Sequence, residues 1–109
     1  MKKIVWLGSS LDDLKLFPDT AKRGAGYWLH VIQEGREPFD TKPMPDIGAG
    51  VKEIRIHSQN EYRIVYVAKF KSAVYVLHSF IKKTQKTSKQ DLALAKNRYK
   101  QAMKAEEGK

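Results

Sequence analysis

Arg55 and Arg63 lie in two neighbouring stretches, VKEIRIH and YRIVYVAKF, and Lys82 and Lys83 close a third, AVYVLHSFI, at the start of KKTQKTSK. This set of cations suits a phosphate. Cleavage of RNA by its own 2′-hydroxyl needs a base, stabilisation of charge on the pentacovalent phosphorane, and help for the leaving 5′-oxygen. Arginine's planar fork can hold the non-bridging oxygens, and a lysine among other cations can take or give a proton. Lys82 and Lys83 read equally well as solubilising residues at a strand end. Other chemistries find little support. His57 and His78 have no second histidine or carboxylate at ligand spacing, so no metal is expected. There is no glycine-rich phosphate loop, no G-x-S-x-G and no pair of acids at strand ends. No cofactor is expected.

The three stretches must be strands. They are rich in β-branched and aromatic residues, and their short links, SQNE and KS, imply an antiparallel meander. The second and third are apolar on both faces and belong in the centre. Period-2 alternation divides Ile54, Ile56, Ile64 and Tyr66 from Glu53, Arg55, His57 and Arg63. If helices cover the first set, the second shares an open face. Two arginines side by side then need an anion between them, or Glu53 as an ion-pair partner of one of them. The third strand is expected to send Val76, His78, Phe80 and Lys82 to one face and Leu77, Ser79, Ile81 and Lys83 to the other. His78 reads as a hydrogen-bonded core residue, and His57 as exposed.

Helices must cover this sheet. KKIVWL reads as a first short strand. Ser9 or Ser10 can cap a short helix with Asp12 and Asp13 in its first turn, and Pro18 ends it. Asp19 or Thr20 caps a second helix running to about Gln33. Tyr27, Trp28, Val31 and Ile32 form its apolar stripe, Gly24 is a close-packing point, and Gly35 is the stop. Residues 35–50 carry three prolines and three glycines and read as a loop. A last helix starts at Ser88, with Leu92, Ala95, Tyr99 and Met103 inward and Lys89, Lys96, Lys100 and Lys104 mostly outward. The order is β-α-α-β-β-β-α, an α+β arrangement of two layers in one domain, 1–109.

The charge is uneven. From Lys82 onward there are nine basic and three acidic residues, so +6 of the chain's +9 sits in its last quarter. Such a field attracts nucleic acid or an acidic protein. The chain has no cysteine, which excludes disulfides and cysteine–zinc sites. Its longest early apolar run, Ile4 to Leu7, is too short for a membrane span. A cytoplasmic protein with no membrane contact is expected.

Three pieces in this order resemble the RelE/ParE toxin superfamily, and within it the phage-derived HigB-type branch. They are Glu53-Ile54-Arg55, the YRIVY of Tyr62–Tyr66, and Leu77-His78 with Phe80, Lys82, Lys83, Thr84, Lys86 and Thr87. Upstream, FPDTAKRGAGYWLHVIQEGREPFDTKPMPDIGAGV also resembles that branch, and the likeness spans nearly the whole chain. The resemblance implies a RelE-like fold and a ribosome-dependent mRNA endonuclease that needs no metal. It also implies an antitoxin partner, typically a helix-turn-helix protein. It assigns Arg63 and Arg55 to the scissile phosphate and Lys82 or Lys83 to proton transfer. Lys86, Lys89, Lys96 and Lys100 would contact RNA. Several relatives carry a tyrosine or histidine near the C-terminus as proton donor. Here the last aromatic, Tyr99, falls on the inward stripe, and a lysine must act instead. Two other readings share the fold or the residues: a ParE-like gyrase poison, and a phage-derived binding module without catalysis.

Overall fold

The computed structural model describes residues 1–109. In chain order the elements are β1 (Lys3–Trp6), α1 (Ser10–Lys15), α2 (Asp19–Gln33), β2 (Thr41–Pro43), β3 (Val51–Ser58), β4 (Asn60–Val67), β5 (Ala73–Ile81) and α3 (Lys89–Glu107). They build an α+β fold on a mixed sheet of order β1-β5-β4-β3-β2. β1 runs parallel to β5, and every other pair is antiparallel. The expected element order and meander are both present. Thr41–Pro43 adds a short edge strand inside the stretch read as loop, paired with Lys52–Ile54.

Helix boundaries follow local chemistry. Ser88 opens α3 by accepting a hydrogen bond from the Asp91 backbone N–H at 3.0 Å, while its hydroxyl donates to the Asp91 carboxylate at 2.7 Å. α2 starts directly after Pro18, whose extended ψ of 155° makes it the N-cap without any side-chain bond, so neither Asp19 nor Thr20 caps it. Gly35, at φ +84°, ends the helix as expected. The buried stripe of α2 is Ala21, Ala25, Leu29 and Ile32, at spacings of three and four. Tyr27 falls outside that stripe and is exposed.

α1 and α2 cover one face of the sheet. There Leu14, Phe17, Leu29 and Ile32 meet Ile54, Ile64, Val74 and Val76. α3 lies on the other face, where Ala95 and Ala102 pack with Val65, Val67, Tyr75 and Leu77. Small residues at the contact let α3 approach β5 closely. Met103 and Leu92, expected inward, are only half-buried. Arg98 takes a buried position instead, donating to the Leu77 carbonyl at 2.9 Å and the Ser9 hydroxyl at 3.1 Å.

The register between β4 and β5 slips once. Val65 pairs with His78, but Tyr66 pairs with Val76, leaving Leu77 as an extra residue. This bulge changes the expected division of β5. Val76 joins the α1–α2 face, while Leu77 and Phe80 both belong to the α3 face.

Candidate functional site

The strand register sets the cations out in rows. Arg55 stands opposite Arg63, and Arg63 opposite Phe80. Lys42 stands opposite Glu53, Glu53 opposite Val65, and Val65 opposite His78. His57 stands opposite Glu61, whose carbonyl accepts the Lys82 backbone N–H at 2.7 Å. The meander therefore brings Arg55 and Arg63 together in one patch, as the alternation required, and Lys82 borders a cleft with Arg63 but not with Arg55.

Carboxylates separate the two arginines. Arg55 Nε donates to Asp40 Oδ1 at 2.8 Å. Asp40 Oδ2 is 2.8 Å from His57 Nε2, and His57 Nδ1 is 2.7 Å from Glu61 Oε1. Arg63 Nη2 donates to the same Glu61 oxygen at 3.0 Å, and Arg63 Nε is 3.4 Å from Glu53 Oε1. The result is a chain of alternating charge, Arg55–Asp40–His57–Glu61–Arg63–Glu53. Glu53 pairs with Arg63, one of the two partners the sequence left open, and Asp40 takes Arg55. Asp40 and Glu61 are absent from the sequence-based assignment. Asp40 precedes the unforeseen strand β2, which alone brings it beside Arg55, where its carbonyl accepts the Arg55 backbone N–H.

Electrostatics differ along this chain. His57 is exposed, and its pKa is raised, first by the hydrogen bond to Glu61 and then by that to Asp40. Asp40 and Glu61 are held below the ordinary carboxylate range, chiefly by their hydrogen bonds to His57. Glu53 goes the other way. Burial pushes its carboxyl up, against the opposing pull of Arg63, Lys82 and Lys42. Its Oε2 is buried without a hydrogen-bond partner.

The face expected to be open is walled. A cleft of about 450 Å³ has Glu53 among its lining residues, together with Lys42, Lys82, Lys86, Thr87 and Leu92. A second, about 340 Å³, is lined by Glu61, Arg63, Lys82, Lys83, Thr84 and Gln85. Residues 42–46, the segment after β5 and the start of α3 wall the first cleft, and the segment after β5 walls the second. Lys82 and Gln85 border both clefts, so the two adjoin there. Lys82 is half-buried and Lys83 exposed, bordering the second cleft only. Lys86 borders the first. Lys89, Lys96 and Lys100 are exposed on α3 and border neither.

The remaining aromatic and histidine groups have other partners. Tyr99 donates its hydroxyl hydrogen to the Ala49 carbonyl at 3.0 Å, beside the Gly48–Gly50 turn. His78 stacks on Phe80 with centroids 4.7 Å apart, and its Nε2 is 2.7 Å from Asp91 Oδ1. No group of three or more His, Asp or Glu side chains is placed to hold a metal ion. No helix is long and apolar enough to cross a membrane.

The model of a family described as phage derived protein Gp49-like (DUF891) matches residues 12–100, from α1 through most of α3. That span contains every residue of the patch. No curated protein matches the chain. With the family model covering most of its length, the chain belongs to the phage-derived Gp49-like family.

Proposed function

We propose that the chain is the toxin of a toxin–antitoxin pair and cleaves mRNA on the ribosome. The fold has the strand and helix order of RelE-like toxin scaffolds. The observation that carries the reading is the cleft of about 340 Å³ that Arg63, Lys82 and Lys83 all border. Three cations bordering a cleft that can admit a phosphate group match what a phosphorane requires.

The geometry supports a specific order of events. Glu61, exposed enough to swing into water, yields its place on Arg63 to the scissile phosphate. Arg55 exchanges Asp40 for the adjacent phosphate oxygen in the same way. Each exchange swaps one charge-assisted bond for another, so its net cost is small. The 2′-oxygen attacks phosphorus, the P–O5′ bond breaks, and the products are a 2′,3′-cyclic phosphate and a 5′-hydroxyl. Lys82, at the junction of the clefts, gives its proton to O5′. Lys86, Lys89, Lys96 and Lys100 present positive charge to ribosomal RNA, a contact that weakens as salt rises. A helix-turn-helix antitoxin is the partner that restrains the activity.

Purified ribosomes programmed with a short mRNA test this. Adding the protein should give discrete fragments ending in 2′,3′-cyclic phosphate. Intact mRNA at stoichiometric protein refutes the reading. Blocked supercoiling by gyrase with intact mRNA replaces it with the protein-inhibitor reading.

A further inference from the structure

We infer that Glu53 is the general base that takes the proton from the attacking 2′-hydroxyl. This rests on the nuclease reading above and adds a residue that the lysine-and-arginine scheme lacks, since that scheme supplies charge and an acid but no dedicated proton acceptor.

Three observations carry it. Glu53 Oε2 has no hydrogen-bond partner, although the side chain is only 2% exposed. A carboxylate oxygen left bare at that depth costs free energy that a purely structural ion pair would avoid by using both oxygens. Glu53 also borders the 450 Å³ cleft, where Lys42, Lys82 and Lys86 supply the positive walls. Finally, its other oxygen is 3.4 Å from Arg63 Nε, while Arg63 borders the adjoining cleft. A phosphate in the Arg63 cleft and a ribose reaching past Lys82 would therefore set the 2′-hydroxyl toward Glu53. Burial that raises a carboxyl toward neutrality makes it a stronger proton acceptor than an ordinary carboxylate.

The step balances. The carboxylate of Glu53 takes the O2′ proton as the O2′–P bond forms. The P–O5′ bond breaks, and the Lys82 ammonium gives O5′ its proton. Glu53 ends neutral and Lys82 ends as the free amine; exchange with water restores both. No co-reactant is consumed. The lone pair that forms the new bond comes from O2′, and the pair of the broken bond leaves with O5′.

Single-turnover cleavage of ribosome-bound mRNA across pH 5.5–8.5 tests the assignment. The wild-type rate should rise with pH along an acid limb. Glu53→Gln should cut more slowly by roughly 10²–10⁴-fold at the wild-type plateau and lose the limb. A merely structural Glu53 would leave the limb in place. Glu53→Asp keeps a carboxylate one methylene shorter, so it should keep a limb with a displaced midpoint and a lower rate. It decides the matter alone if Glu53→Gln does not fold by circular dichroism. A Glu53→Gln protein with the wild-type rate or the wild-type limb overturns the assignment, as does a Glu53→Asp profile identical to wild type. Both results leave the nuclease reading standing. Intact mRNA with the wild-type protein is a different failure, which removes the nuclease reading and this assignment together.

Discussion

Arg63 Nε lies 3.4 Å from Glu53 Oε1, and both side chains are almost sealed from water. A buried ion pair of this kind makes its two members interdependent. Removing Arg63 would strand Glu53 without its closest cation. Arg63→Ala should therefore destabilise the fold by about 3–5 kcal/mol, and the double variant Arg63→Ala/Glu53→Gln should recover part of that. Chemical denaturation of the variants checks it. A lost toxicity in Arg63→Ala alone would thus not isolate a catalytic role. An unchanged unfolding midpoint in Arg63→Ala would show that the pair carries little.

His57 gives the patch a dependence on pH. Its folded pKa is raised by Glu61 and Asp40, so the folded state holds the proton more tightly than the unfolded chain does. The stability this supplies is fully present below the unfolded value, about 6.5, and is lost as pH rises through the raised folded value. The melting-temperature gap between wild type and His57→Gln should be widest near pH 5.5 and shrink toward pH 8.5. A gap that stays constant, or widens with pH, contradicts the Glu61–His57–Asp40 contacts.

Lys82 and Lys83 should not be equivalent. Lys82 borders both clefts, whereas Lys83 borders the second alone. Lys82→Met should lower cleavage by roughly 10²-fold or more, the scale of losing a positioned acid. Lys83→Met should cost about tenfold or less, the scale of one exposed phosphate contact. Rate constants on the same programmed ribosomes decide between them. Equal losses would remove the distinction.

Gly8 should tolerate no side chain. It sits at φ +53°, and an added Cβ would fall 2.5 Å from Arg98 Nε. Gly8→Ala should cost about 1–2 kcal/mol for the left-handed backbone alone, and more for displacing Arg98 from Leu77 and Ser9. Denaturant titration measures the loss. Wild-type stability would mean that Arg98 has another position of equal energy.

Much of this was legible because the signals were local. β3, β4 and β5 announce themselves through β-branched residues and short links, and the alternation in VKEIRIH and YRIVYVAKF correctly placed Glu53, Arg55 and Arg63 on one face. What escaped depended on distant partners. Thr41–Pro43 has a loop's composition and becomes a strand only by pairing with β3, so Asp40 could not be seen beside Arg55. The Leu77 bulge hides inside AVYVLHSF, where an unbroken apolar run masks a slip in period. Arg98 looks like a solvent-facing helix residue until its guanidinium meets the Leu77 carbonyl. The cleft at Glu53 is walled jointly by residues 42–46 and the polar segment after β5, two loop-like stretches far apart in sequence.

The central claim is that this chain cuts mRNA on the ribosome. Mapping mRNA 5′ ends genome-wide after brief induction tests it most directly. The account predicts new 5′-hydroxyl ends within coding regions, in phase with codons, appearing together with growth arrest and absent when translation is blocked beforehand. Growth arrest with no new phased ends, or ends that appear equally on untranslated RNA, would contradict it.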